Sequence, residues 1–300
     1  MIQPTKNLPH LDHWGFTSSP FHQSSRLHSL QPSNTLPPFF DGGSHGEALA
    51  RLQFLATMGY SLGIVLGSSG SGKTTLFQQF QQRPADDRRN QGVYYLNVYG
   101  QREEEFLSQL GKKLHCPVAY ETEISSLPRW TMILWQQIEQ ALYRTRQNKW
   151  APIFVLDDFD RSEKLEVPLL RLLNASYSEN GATFLLGVNS YRLIHLNRQI
   201  IDSCQLRIDI DPFSEEETYD YLQFLLENHR PLDHPDGPIT IFSEEACRDL
   251  YHLSEGNPRK INHLAELSLA VAAEGGADHI DEEMVQKVYE ELLIHDDLTT

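Results

Sequence analysis

Five short apolar runs punctuate the chain: 62–66 (LGIVL), 93–98 (VYYLNV), 153–156 (IFVL), 183–188 (TFLLGV) and 206–210 (LRIDI). Each has strand length and is nearly continuous in apolar residues, the pattern of a strand covered on both faces. Between them the apolar positions move to helical spacing, roughly over 73–82, 103–114, 129–147, 162–177 and 191–202. Strands alternating with helices predict an α/β fold around a parallel sheet. Residues 46–58 (GEALARLQFLATM) add a helix before the first strand, with Leu49, Leu52, Phe54 and Leu55 at helical spacing. Residues 1–45 are rich in Pro, Ser, His and aromatic residues, show little periodicity, and read as an extended arm.

The pattern changes at Pro212, beyond which helices are predicted and no strand. Ser214 and Glu217 have the spacing of a capping box for a helix to about residue 228. Residues 229–242 hold three prolines and a glycine and read as a loop. Ser243 opens a second helix, Pro258 stands near the start of a third that runs to about Ala273, and Asp281 opens a fourth that ends near Ile294. The organisation predicted is an arm over 1–45, an α/β core over 46–212 and an all-helical domain over 213–300.

Composition narrows the classes of function. Hydrophobic residues make up 40% and charged residues 22%, enough apolar surface for a packed core. The formal net charge is −16, from 25 basic and 41 acidic residues. That balance disfavours DNA coating by bulk attraction and docking on an anionic membrane. Three widely separated cysteines (Cys116, Cys204, Cys247) with no CxxC read as reduced, buried residues of a cytoplasmic chain. The 13 histidines show no paired metal spacing. No run approaches the ~18 apolar residues of a membrane span, and no signal peptide is expected at the N-terminus.

The strongest chemical motif is GSSGSGKT, residues 67–74, which matches G-x-x-x-x-G-K-[ST] in full. It lies after an apolar run and before a helical one, as its chemistry requires. Gly67, Gly70 and Gly72 let the backbone wrap closely around phosphates. The N–H groups of Gly67, Ser68, Ser69, Gly70, Ser71, Gly72, Lys73, Thr74 and Thr75 then line an anion cradle at a helix N-terminus. Lys73 is placed to reach the β- and γ-phosphates, and the Thr74 hydroxyl to ligate Mg²⁺. A metal-holding carboxylate on a neighbouring strand is also needed, and IFVLDD (153–158) supplies Asp157 for it. Asp158 follows, where it can polarise an attacking water. Asn189, after the fourth apolar run, reads either as a sensor of the γ-phosphate or as the cap of the next helix. In GNPRKIN (256–262), Arg259 projects from the first turn of a helix and suits a lid that closes on phosphate.

The order GSSGSGKT, IFVLDD, Asn189 and GNPRKIN resembles the AAA+ superfamily, and more narrowly its ExeA/GspA-type ATPases of general secretion and the related TniB-like transposition ATPases. HWGFTSSPF (13–21), SHGEALARL (44–52) and DPFSEEETYDYLQFLL (211–226) resemble the ExeA-like branch. The resemblance covers about residues 13–293. It implies a five-stranded parallel sheet of order 5-1-4-3-2, a C-terminal helical lid, ATP and Mg²⁺ as ligands, and a homo-oligomer. Many such proteins place an arginine before the last core strand to act on a neighbour's ATP; that position corresponds here to Ser203, with Arg198 and Arg207 nearby. Asp158 stands where relatives carry Glu. Longer ExeA-type proteins carry a membrane helix and a cell-wall-binding domain, neither of which is read in this sequence, so a secretion role and a mobile-element role both stay open.

Other features read as structural. RPADDRRN (83–90) is a solvated loop, and Trp130, Trp135 and Trp150 pack rather than stack on bases. Phe16 and Phe21 either pack near an adenine or anchor the arm. Two functions fit: an ATPase that hydrolyses ATP on self-assembly to remodel a protein partner, or an ATP-gated scaffold on DNA with slow hydrolysis. A small-molecule kinase fits poorly, since its lid is inserted within the core.

Overall fold

The computed structural model describes residues 9–21, 38–82, 92–120, 127–147, 150–176, 181–229 and 240–297. The chain forms two compact units, residues 45–210 and residues 1–44 together with 211–300. The stretches 83–90 and 230–239, read above as loops, lie outside the described residues, apart from the flanking residues 229 and 240–242.

In the first unit, α2 (Gly43–Met58) leads into β1 (Leu62–Gly67) and α3 (Lys73–Gln82). There follow β2 (Val93–Asn97), α4 (Glu103–Lys113), α5 (Leu127–Gln147), β3 (Ile153–Asp157), α6 (Glu166–Ser176), β4 (Thr183–Asn189), α7 (Arg198–Ser203) and β5 (Leu206–Asp209). The five strands pair in the order β2-β3-β4-β1-β5, all parallel. Read from the other edge this is 5-1-4-3-2, the order implied by the resemblance. Parallel pairing forces a crossover after every strand, and the intervening helices cover both faces, so β1 and β3 are buried along their whole length. Phe154 and Phe184 stack across neighbouring strands with centroids 5.6 Å apart. Each such fully buried side chain contributes about 1.5–3 kcal/mol. Trp130 and Trp135 are buried in the same core, as expected of packing residues. Their indole N–H groups donate to Val118 O and Glu103 Oε1.

Two helices differ from the pattern-based expectation. The segment 191–202 splits into a 3₁₀ turn (Ser190–His195) and α7, because Asn197 interrupts it and caps the second piece by accepting from Gln199 N. The segment 162–177 becomes helical only at Glu166. Before it, a 3₁₀ turn (Phe159–Arg161) and the following bend bind the loop after β2 instead: Gly100 N donates to Arg161 O and Glu163 N to Gln101 O. Those backbone groups are satisfied across loops, so no helix is needed for them.

The second unit contains α8 (Glu215–Asn228), α9 (Glu244–Ser254), α10 (Pro258–Glu274) and α11 (Glu282–Asp297). The capping box forms as its spacing requires, with Ser214 Oγ accepting from Glu217 N and Glu217 Oε2 from Ser214 N. The N-terminal segment is not wholly extended: Pro9–Trp14 forms a short helix, α1, which packs on α10. Leu11, Phe16 and Phe21 are buried in the core of the helical unit, and Phe21 meets Phe242 edge to face at 5.9 Å. The Trp14 indole donates to Leu269 O at 3.0 Å. These aromatics anchor the arm, one of the two roles open to them from sequence. Among the described residues no helix is long and apolar enough to cross a membrane.

Candidate nucleotide-binding site

In a parallel sheet the polar residues that follow each strand gather along its carboxyl edge. Here that edge collects the ends of β1, β3 and β4. Leaving β1, the chain turns at Ser68–Ser71 and enters α3 at Lys73. Gly70 and Gly72 adopt φ of 86° and 95°, a left-handed region that L side chains resist. A Cβ on Gly72 would also meet His45 Nε2 at 2.8 Å. His45 is buried on α2 and its Nε2 bonds Ser71 O at 2.7 Å, so a helix outside the motif braces the loop. Only the protonated ring nitrogen can donate to a carbonyl, which fixes the tautomer of that contact.

Lys73 is buried, and its ammonium donates to Gly67 O at 2.8 Å and Ser68 O at 2.9 Å. Burial pushes its pKa below the ordinary lysine value, while Asp157, Asp158 and Asp160 pull it back. Thr74 is exposed, and its hydroxyl donates to Asp157 Oδ2 at 2.6 Å. Asp157 itself is buried at 1% exposure. Desolvation raises its carboxyl above the ordinary 3.8, and the hydrogen bonds from Thr74 and Tyr95 act against that rise.

Asp158 follows in the left-handed region, at φ 56° and ψ 35°. Asp and Asn tolerate that conformation better than longer side chains, which suits a short carboxylate here. Its Oδ2 accepts from Asn97 Nδ2 at 3.2 Å. Asn189 ends β4 and its Oδ1 accepts from Tyr191 N, so the capping role is realised; a sensor role would use its amide nitrogen. The Asn189 backbone N–H donates to Asp160 Oδ1, joining the ends of β3 and β4. Arg259 stands exposed in the first turn of α10, behind the Asn257 cap and Pro258. It belongs to the helical unit, so it is not among the residues that the sheet itself assembles. Of the two arginines weighed for action on a neighbour, Arg198 pairs with Asp202 and Arg207 pairs through two nitrogens with Asp209.

The structure adds residues that the motifs did not name. Tyr95 and Asn97 hold the two adjacent carboxylates from β2, and their signal was two polar groups two apart within an otherwise apolar strand. Gly187 on β4 is another. A Cβ there would lie 2.5 Å from Asp157 Oδ1 and 2.9 Å from Phe77, so a hydrogen at this position keeps room for the carboxylate. No local pattern marks it, nor His45.

The residues present suit nucleotide with Mg²⁺. A glycine-turned loop opens a helix, a lysine ammonium is held by loop carbonyls, and a hydroxyl and two carboxylates offer the hard oxygen donors that Mg²⁺ prefers.

Sheet order, loop and carboxylate strand together define a P-loop NTPase with an AAA+-type α/β fold and a helical C-terminal region. The NACHT domain family model matches residues 61–229, and the chain belongs to that family of nucleotide-binding P-loop NTPases. Among solved structures the chain resembles Cdc6p of Pyrobaculum aerophilum, with TM-score 0.65, 17% identity, and 87% of this chain and 69% of that one covered. It also resembles the Aeropyrum pernix ORC1 protein in complex with DNA, with TM-score 0.60, 16% identity and coverage of 83% and 65%. An uncharacterized HTH-type transcriptional regulator of Methanocaldococcus jannaschii is 29% identical over 146 residues, 47% of this chain. The match spans about a third (35%) of that relative's length.

Proposed function

We propose that the protein is an ATPase that binds ATP with Mg²⁺ and hydrolyses it upon self-assembly, to remodel or regulate a protein partner. The observation that carries this reading is the Thr74 hydroxyl on Asp157, with Lys73 folded against the loop carbonyls and Asp158 adjacent. In it the loop amides from Gly67 to Thr75 and Lys73 hold the phosphates. Thr74 and Asp157 hold the cation, whose bound form supplies charge neutralisation at the phosphate oxygens. Asp158 takes the proton of the attacking water, oriented by Asn97. Asn189 and Arg259 read the γ-phosphate, the first from the core (46–212) and the second from the helical lid (213–300). The sequence motifs support an ExeA/GspA-like subtype for this machinery.

A second reading has its own support. The acidic excess is confined to one unit: residues 1–44 and 211–300 hold 7 Lys and Arg against 24 Asp and Glu, whereas residues 45–210 hold 18 against 17. The net charge therefore does not bar the core from DNA, and two similar proteins are described as a DNA complex and an HTH-type regulator. In this reading ATP holds an assembly on DNA and slow hydrolysis dissolves it.

ATP hydrolysis measured against protein concentration, with and without DNA and with Lys73→Ala as control, separates the two. A rate per subunit that rises with concentration and is lost in the variant supports the assembling ATPase. Tight ATP binding with turnover absent at every concentration removes the hydrolytic part and favours the scaffold.

A further inference from the structure

Side chains alternate along a strand, so Tyr95 and Asn97 fall on the same face of β2. Pairing sets Tyr95 level with Val155 and Asn97 level with Asp157. From that face the Tyr95 hydroxyl donates to Asp157 Oδ2 at 2.8 Å. The same oxygen accepts from Thr74 Oγ1 at 2.6 Å, and Asp157 Oδ1 accepts from Asp158 N at 3.0 Å. Donors from α3, from β2 and from the backbone after β3 thus converge on one buried carboxylate.

The two hydroxyls have different duties. Thr74 is exposed at the head of α3, and its oxygen is itself a candidate cation ligand. The Tyr95 phenol stands on β2, the edge strand paired in register with β3, and its rigid ring has few rotamers, so it can hold Asp157 whether or not a nucleotide is present.

We propose that Tyr95 is a positioning residue for divalent-cation binding: its hydroxyl holds the Asp157 carboxylate in one orientation, and so sets how tightly Mg²⁺ binds with nucleotide. The inference rests on the assignment of the 67–75 loop and Asp157 to an ATP–Mg²⁺ site. Partners of this kind, one step removed from a cation, typically govern its affinity by tenfold or more.

Tyr95→Phe removes one oxygen and keeps the ring. Binding of a fluorescent ATP analogue is titrated with Mg²⁺ and repeated in EDTA, and Mn²⁺ binding is followed by electron paramagnetic resonance. The result expected is about a tenfold rise in the Mg²⁺ and Mn²⁺ needed for half-saturation. Analogue affinity in EDTA should match wild type. An unchanged cation dependence overturns the proposal. An equal loss of affinity with and without cation overturns it too, since that is the signature of a merely structural residue. Wild type and Lys73→Ala are run alongside. If wild type binds no analogue, or Lys73→Ala binds it as well as wild type, the nucleotide-site reading has failed. Wild-type binding sensitive to Lys73, with Tyr95→Phe indistinguishable from wild type, is failure of this inference alone.

Discussion

Asp157 is a buried carboxyl in a place where charge is costly. Its carboxyl is raised above 3.8 by burial. Between 3.8 and that raised value the native state binds more protons than the unfolded state, so this group's contribution to stability falls as pH rises through the window. Asp157→Asn is therefore expected to raise the melting temperature of the nucleotide-free protein at neutral pH by a few degrees, at about 2–4 °C per kcal/mol. The gain should shrink toward the acid end of the window, and Mg²⁺-dependent nucleotide binding should disappear. Calorimetry across pH on both proteins checks the first point and analogue binding the second. Asp158 calls for a different variant. Asn shares Asp's tolerance of the left-handed region, so Asp158→Asn keeps the turn and removes only the base. Turnover is expected to fall by about 10²–10⁴-fold with nucleotide affinity unchanged. A variant that still turns over ATP at the wild-type rate would show that Asp158 is not the base.

Among the elements, β4 and the N-terminal segment carry the consequences least visible in sequence. The Gly187 position on β4 has no room for a methyl group beside Asp157 and Phe77. Gly187→Ala is expected to cost about 1–3 kcal/mol and to weaken cation binding by displacing the carboxylate. Denaturant melts and the Mg²⁺ titration measure the two effects separately. Phe21 is 2% exposed in the core of the helical unit. Phe21→Ala is expected to destabilise that unit by about 3–5 kcal/mol, the usual range for a buried phenylalanine. Hydrogen exchange reads this unit by unit: protection should fall in α8–α10, and a fall confined to α3 and the β-strands would contradict the placement.

For the whole molecule the uneven charge matters most. An excess of acid in residues 1–44 and 211–300 and a near balance in 45–210 give the two readings of function opposite salt responses. Repulsion between acidic helical units opposes self-association and is screened as ionic strength rises. ATP-dependent assembly should therefore strengthen between about 50 and about 200 mM salt, whereas binding to DNA phosphates should weaken steeply over the same range. Sedimentation with ATP, with and without DNA, distinguishes them. Assembly that weakens with salt in the absence of DNA would contradict the repulsion argument.

The sheet was legible from pattern because its inner strands β1, β3 and β4 are apolar on both faces and its helices amphipathic, so LGIVL and IFVL announce themselves without knowledge of their neighbours. The GSSGSGKT loop was legible for a similar reason: its glycines, Lys73 and Thr74 act through a contiguous backbone turn. Strand order came only through likeness to a known family, and pairing in the structure bears it out. What folding alone decided are relations between residues distant in the chain. Examples are the Thr74 hydroxyl on Asp157, Tyr95 and Asn97 on consecutive carboxylates, and His45 against the turn at Ser71. The same holds for the burial of Phe16 and Phe21 among helices more than 190 positions later. Side-chain chemistry and local period are written residue by residue, but a hydrogen bond between strands depends on register, and register exists only once the sheet has closed.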